Sequence, residues 1–168
     1  MSTPGAQEPK ASYRQIEGLA QSRAAIDEVI AAAQKNLAVF DFSLENRGYG
    51  DVARIERLRH FLLGSRAHRL RIALHDPEFL ERHEPRLLML LRQFPGSIAI
   101  HRTGGQARNA ADPFVVADDH SVWHLQQHGQ SRAIVALHSP ADASPIRERF
   151  EEIWELSEPA IGSSTLGL

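Results

Sequence analysis

Short apolar runs alternate with amphipathic helical stripes through the first hundred residues, and this alternation restricts the fold more than any other feature of the chain. Leu37-Ala38-Val39-Phe40-Asp41-Phe42, Leu70-Arg71-Ile72-Ala73-Leu74 and Ser97-Ile98-Ala99-Ile100-His101 are strand-length runs. A helical stripe precedes each one. Ile26, Val29, Ile30 and Ala33 recur at i, i+3, i+4 and i+7, with Ser22 as the expected N-cap. Val52, Ile55, Leu58 and Leu62 follow the break at Gly48-Tyr49-Gly50, with Asp51 as cap and Gly64 as stop. The third helix is expected to start at His75-Asp76-Pro77-Glu78 and to run to about Phe94, ending before Pro95-Gly96. Strands joined by helical crossovers pair in parallel, because a parallel pairing needs a long connection.

After His101 the pattern changes. Arg102 to Pro113, with Gly104-Gly105 and Asn109, reads as a loop. Phe114–Ala117, Val122–Gln126 and Arg132–Leu137 are strand runs separated by short polar links, the signature of antiparallel hairpins. A last helix is expected from Ser144-Pro145, with Ile146, Phe150, Ile153 and Trp154 on one face and Glu158-Pro159 at its end. The predicted fold is α/β. A mixed sheet, parallel in its first half and antiparallel in its second, is flanked by helices. It forms one domain over residues 13–159, between a disordered segment (1–12) and a flexible tail (160–168).

Composition narrows the function classes. A net charge of −2 disfavours bulk electrostatic attraction to nucleic acid. With no cysteine there is neither a disulfide nor a thiolate metal site. No run approaches the roughly 18 apolar residues of a membrane span. The opening residues carry neither a basic start nor an apolar stretch, which predicts no secretion signal and a cytoplasmic, bacterial-type location.

Three segments carry a resemblance. They are the leading helix and strand from Ala24 to Phe42, the strand and acidic turn Phe114-Val115-Val116-Ala117-Asp118-Asp119 followed by Val122-Trp123-His124-Leu125, and the closing helix around Phe150-Glu151-Glu152-Ile153-Trp154. In this order they resemble one domain of the phospholipase D-like superfamily, from about Ser22 to Pro159. That resemblance implies a His-x-Lys-x4-Asp signature, in which His attacks phosphorus, Lys holds phosphate charge and Asp orients the His. Here Asp118 stands in the Asp slot, but Ala111 occupies the His slot and Pro113 the Lys slot. The Gly-Ser expected after the next strand is replaced by Gln126-Gln127. Active members also need two copies of the motif, and this chain has at most one.

Three functions remain in play. The first is a non-catalytic phospholipase D-like binding or regulatory module, self-associating as a homodimer or holding a protein partner or small anionic ligand. The second is a phosphodiesterase or nuclease with His101 or His124 as substitute histidine beside Asp118. The third is a nucleic-acid-binding protein using the segment Arg54–Arg71, with Arg54, Arg57, Arg66 and Arg69 as phosphate contacts. Parallel α/β sheets hold ligands at the carboxyl ends of their strands, which here offers Asp41, His75, His101, Arg102 and Asp118. Each has a plainer role to set against this, such as helix cap, turn residue or solvated strand end. His120, His124 and His128 are spaced by four, but strand geometry would spread them over roughly 20 Å or more, so no metal or other cofactor is expected.

Overall fold

The computed structural model describes residue 5 and residues 7–161. Among the described residues eight strands form one sheet: β1 (Ser12–Glu17), β2 (Asn36–Asp41), β3 (Arg69–Leu74), β4 (Ile98–Thr103), β5 (Phe114–Ala117), β6 (Ser121–Leu125), β7 (Arg132–Leu137) and β8 (Ser157–Ile161). Their order is β1-β7-β6-β5-β2-β3-β4-β8. β2, β3 and β4 are parallel, and every other pairing is antiparallel. The sheet is therefore mixed, as the alternation predicts.

The helices are α1 (Leu19–Ala32), α2 (Val52–Leu63), α3 (Glu78–His83), α4 (Pro85–Gln93) and α5 (Pro140–Glu155). α1, α2, α3 and α4 cover one face, where Ile26, Val29, Ile55, Leu58, Leu87, Leu90 and Leu91 meet Leu37, Val39, Ile72 and Val135. α5 covers the other face, packing Phe150 and Ile153 against Phe40, Ala73, Phe114 and Val116. Alternate residues of one strand thus serve different layers: Val39 faces the first group of helices, and Phe40 faces α5.

Four expectations are corrected. Ser22 is not an N-cap. It lies inside α1, which starts after Gly18 (φ 89°), and its hydroxyl accepts a 3.2 Å hydrogen bond from the indole of the fully buried Trp123. The third helix is two helices, because Pro85 cannot continue α3 and holds Glu84 at φ −123°, ψ 62°. α5 begins at Pro140 behind Ser139, and Pro145 sits inside it. The sheet also has two edge strands that the apolar pattern does not reveal. β1 reads Ser-Tyr-Arg-Gln-Ile-Glu and β8 reads Ser-Glu-Pro-Ala-Ile. Edge strands bury little and tolerate both charge and proline, so they lack the hydrophobic signal of inner strands. Ala160 and Ile161, placed by the sequence in a flexible tail, belong to β8. The rest of that tail, residues 1–4 and residue 6 lie outside the described residues. The cap at Asp51, whose side chain accepts from Ala53 N at 3.0 Å, is as expected; at α3 the N-cap is Pro77, and Asp76 just before it accepts from Glu78 N at 3.1 Å.

Candidate functional site

The carboxyl ends of β2, β3 and β4 converge with the start of β5 and the end of β6. This rim is formed by Asp41, His75, Thr103, the segment Ala110–Pro113 and the loop after Leu125. Its polar groups are largely bonded to one another.

Asp41 is buried (3% exposed) and pairs with the equally buried Arg47 at 2.7 Å, while its second oxygen accepts from Phe42 N at 2.7 Å. The Arg47 guanidinium lies 5.2 Å from the Trp123 ring centroid. A buried ion pair of this kind is an internal strut rather than a solvated strand-end ligand. His75 uses both ring nitrogens: Nε2 lies 2.8 Å from the Ala110 carbonyl and Nδ1 2.5 Å from the Thr103 hydroxyl. The carbonyl can only accept, so Nε2–H donates to it and Nδ1 accepts from Thr103. Phe40 and Phe42 meet the ring edge-on.

Asp112 lies between Ala111 and Pro113, the residues that the resemblance assigns to the His and Lys slots. Its carboxylate joins His124 Nε2 (2.8 Å) to the Arg149 guanidinium of α5. Burial pushes the Asp112 carboxyl up, but the His124 hydrogen bond and the Arg149 charge outweigh it and hold it below the usual carboxylate range. The backbone on either side closes the loop after β6: His128 N donates to Ala111 O at 2.6 Å and Leu125 N to Pro113 O at 2.9 Å. His128 then stacks on Phe42 with ring centroids 3.8 Å apart.

Asp118 is not on this rim. It follows the opposite end of β5, roughly 16 Å from Pro113 at about 3.3 Å per residue. There it sits in a left-handed turn (φ 53°), and its carboxylate accepts from the backbone N–H groups of Gln34 (2.7 Å), Lys35 (3.0 Å) and Asn36 (2.9 Å). It therefore ties the β5–β6 turn to the start of β2. A side chain so engaged, at the wrong end of the sheet, does not pair with His101 or His124.

His101 lies on the α5 face of β4, stacked on Trp154 with ring centroids 3.6 Å apart and with Nδ1 3.0 Å from the Ser157 hydroxyl. Burial, aided by the Arg71 guanidinium, holds its pKa below the usual histidine value. Arg71 itself forks onto Glu151 and lies over the Phe150 and Trp154 rings. Arg102 is exposed and paired with Glu78 of α3.

The arginine segment does not form one surface. Arg54 is 2% exposed, with its three nitrogens donating to Asp27, the Arg47 carbonyl and the Arg23 carbonyl. It is a core residue rather than a phosphate contact. Arg57 lies 3.8 Å from Asp27, and Arg69 donates to the Arg66 and His68 carbonyls. Arg57, Arg66 and Arg69 are exposed. His120, His124 and His128 go separate ways: His120 stacks with His138, His124 binds Asp112 and His128 covers Phe42.

The residues that organise this end of the molecule and that sequence reasoning missed are Arg47, Asp112 and Arg149. Asp112 carried a signal, since it occupies the variable position between the two motif slots. Arg47 and Arg149 carried none, because nothing local distinguishes a buried arginine from a solvated one.

A family model described as Domain of unknown function (DUF7931) matches residues 18–163. The chain belongs to that family. No curated protein matches it. Among solved structures, the DUF7931 chain resembles TrmBL2, described as an archaeal chromatin protein with a novel mode of DNA binding (TM-score 0.66, 15% identity, 93% of this chain and 57% of that one). It also resembles Nuc, a phospholipase D family member from Salmonella typhimurium (TM-score 0.58, 10% identity, 90% and 99%). NucT from Helicobacter pylori gives TM-score 0.61, 11% identity, and 90% and 100% coverage. The fold is phospholipase D-like. This DUF7931 chain spans 57% of TrmBL2 but the whole of NucT. Among the described residues no helix is long and apolar enough to cross a membrane.

Proposed function

We propose that this DUF7931 domain is a non-catalytic phospholipase D-like module that binds rather than hydrolyses, acting as a regulatory or docking domain that self-associates. The observation that supports the reading most directly is the filling of the motif end of β5. Ala111 and Pro113 replace the residues that would attack and hold a phosphate. Asp112 between them spends its carboxylate on His124 and Arg149. A carboxylate there repels a phosphodiester, and it occupies the imidazole nitrogen that a substitute nucleophile would need. His75 is likewise fully engaged, and His101 is packed beneath Trp154.

Incubation of the full chain with bis(p-nitrophenyl) phosphate, with and without divalent cations, tests this. The expected result is no turnover, together with a concentration-dependent monomer–dimer equilibrium in sedimentation. Hydrolysis that disappears in His124→Ala or His101→Ala would overturn the reading and favour an active phosphodiesterase.

One observation favours a second reading. TrmBL2 is described as binding DNA, and Arg57, Arg66 and Arg69 are exposed on one sequence segment here. If nucleic acid is the ligand, affinity falls steeply with salt and the slope shrinks by about one for each arginine removed.

A further inference from the structure

The break between α3 and α4 opens a cavity of about 390 Å³ on the far side of the loop after β2, away from Ala111 and Pro113. Its lining includes Glu84, at the break before Pro85 (φ −123°, ψ 62°). Glu84 is 8% exposed, and its Oε2 is buried with no hydrogen-bond partner. The fit is close: a Cβ at Gly50 would stand 3.0 Å from that oxygen. An unpartnered buried carboxyl is costly, and burial accordingly pushes its pKa up, against the lowering effect of His83 and Arg86.

The rest of the wall offers mainly acceptors. Asp27 has one oxygen on Arg54, and Asp51 has one on the α2 N-terminus, which leaves the other oxygen of each open. Arg54 has all three nitrogens committed, and Arg23 donates through Nε to the Asn46 carbonyl. Carboxylates outnumber guanidinium groups, and the Phe79 ring forms an apolar, π-bearing side.

We infer that this cavity binds a small molecule through a primary ammonium group, with Glu84 as the carboxylate that receives it. An ammonium carries three donors and one positive charge, which complements an acceptor-rich wall with an unsatisfied acid at its base. Phe79 takes the adjoining methylenes. The site does not involve the motif end of β5, so phosphodiester turnover there would leave it standing.

Calorimetric titration of the full chain with n-butylamine, 1,4-diaminobutane and lysine, with 1-butanol as the neutral analogue, tests the inference. The three probes separate a simple amine, a diamine and an amino acid as the source of the ammonium. At least one amine binds, and 1-butanol does not. Glu84→Gln, isosteric and uncharged, weakens amine binding by about tenfold or more. Gly50→Ala, which alters no charge but crowds Glu84 Oε2, weakens it as well and serves as the independent variant should Glu84→Gln lose its near-UV circular dichroism. Absence of binding by every amine at millimolar concentration overturns the inference. So does undiminished affinity in a folded Glu84→Gln.

Discussion

Asp118 offers the sharpest test of how the β5–β6 turn is tied to the start of β2. Its carboxylate accepts three backbone N–H groups, from Gln34, Lys35 and Asn36, at 2.7–3.0 Å. Its side chain is only 14% exposed and its φ is 53°. Asp118→Ala removes all three acceptor contacts. Hydrogen bonds to a charged group contribute about 1.5–3 kcal/mol each, but they are not additive. Gln34 and Lys35 are exposed, so water replaces two of the lost partners at little cost, while the half-buried Asn36 N–H is left unpaired. A left-handed alanine costs about 1 kcal/mol more than aspartate there. The expected loss is about 3 kcal/mol. At about 2–4 °C per kcal/mol for a chain of this size, Tm falls by roughly 6–12 °C. Asp118→Asn keeps one acceptor oxygen and tolerates the turn, so it loses about half as much. Urea unfolding followed by tryptophan fluorescence measures both. A change below about 0.5 kcal/mol in Asp118→Ala would refute the strut role. An Asp118→Asn variant as stable as the unsubstituted chain would refute the claim that both oxygens matter.

The other predictions concern the interior. Ser22→Ala leaves the buried Trp123 indole without an acceptor and destabilises by about 1–3 kcal/mol in the same assay. Arg47→Met strands the buried Asp41 carboxylate and costs about 3–5 kcal/mol, much of which returns when Asp41→Asn is added; the urea midpoints of the single and double variants decide this. Because the native state holds His101 below its ordinary pKa, the unfolded chain takes up its proton first as pH falls. The associated stability is present above about pH 6.5 and is lost as pH falls through the depressed native value. His101→Phe keeps the stack on Trp154 and flattens this acid-side decline in unfolding measured from about pH 7.5 to about pH 5.

Inner elements announce themselves in the sequence because burial on both faces forces apolar runs. β2, β3, β5 and β7 are visible for that reason, and so is the change from parallel to antiparallel pairing, which follows from the lengths of the connections. β1 and β8 are not visible. An edge strand gives up half its hydrogen bonding and most of its burial, so Arg14, Glu17 and Pro159 fit there without penalty. Pro145 suggested a helix start because proline favours the first turn, yet the chain accommodates it within α5. For the site, the motif arithmetic locates Ala111 and Pro113 at a strand end. It says nothing of Asp112, His124 and Arg149 meeting there, since Arg149 arrives from a helix 37 residues on. Asp118 shows the reverse error. The resemblance assigns it to a catalytic motif, but its hydrogen-bond donors are backbone groups more than 80 residues earlier, which no local pattern encodes.

The two edge strands have a consequence for how the chain could be divided. β1 seals β7 across a separation of well over a hundred residues, and β8 seals β4 at the opposite side. Neither contributes much to the apolar layers, so a chain cut back to Leu19–Glu155 keeps nearly all of its interior. It would also bare Arg-Ala-Ile-Val-Ala-Leu on one flank and Ile-Ala-Ile-His-Arg-Thr on the other, each a ready template for another molecule's strand. Such a fragment is expected to fold and then to polymerise. Protection of the inner strands from edge-to-edge pairing thus rests on the two segments that the hydrophobic pattern most readily overlooks.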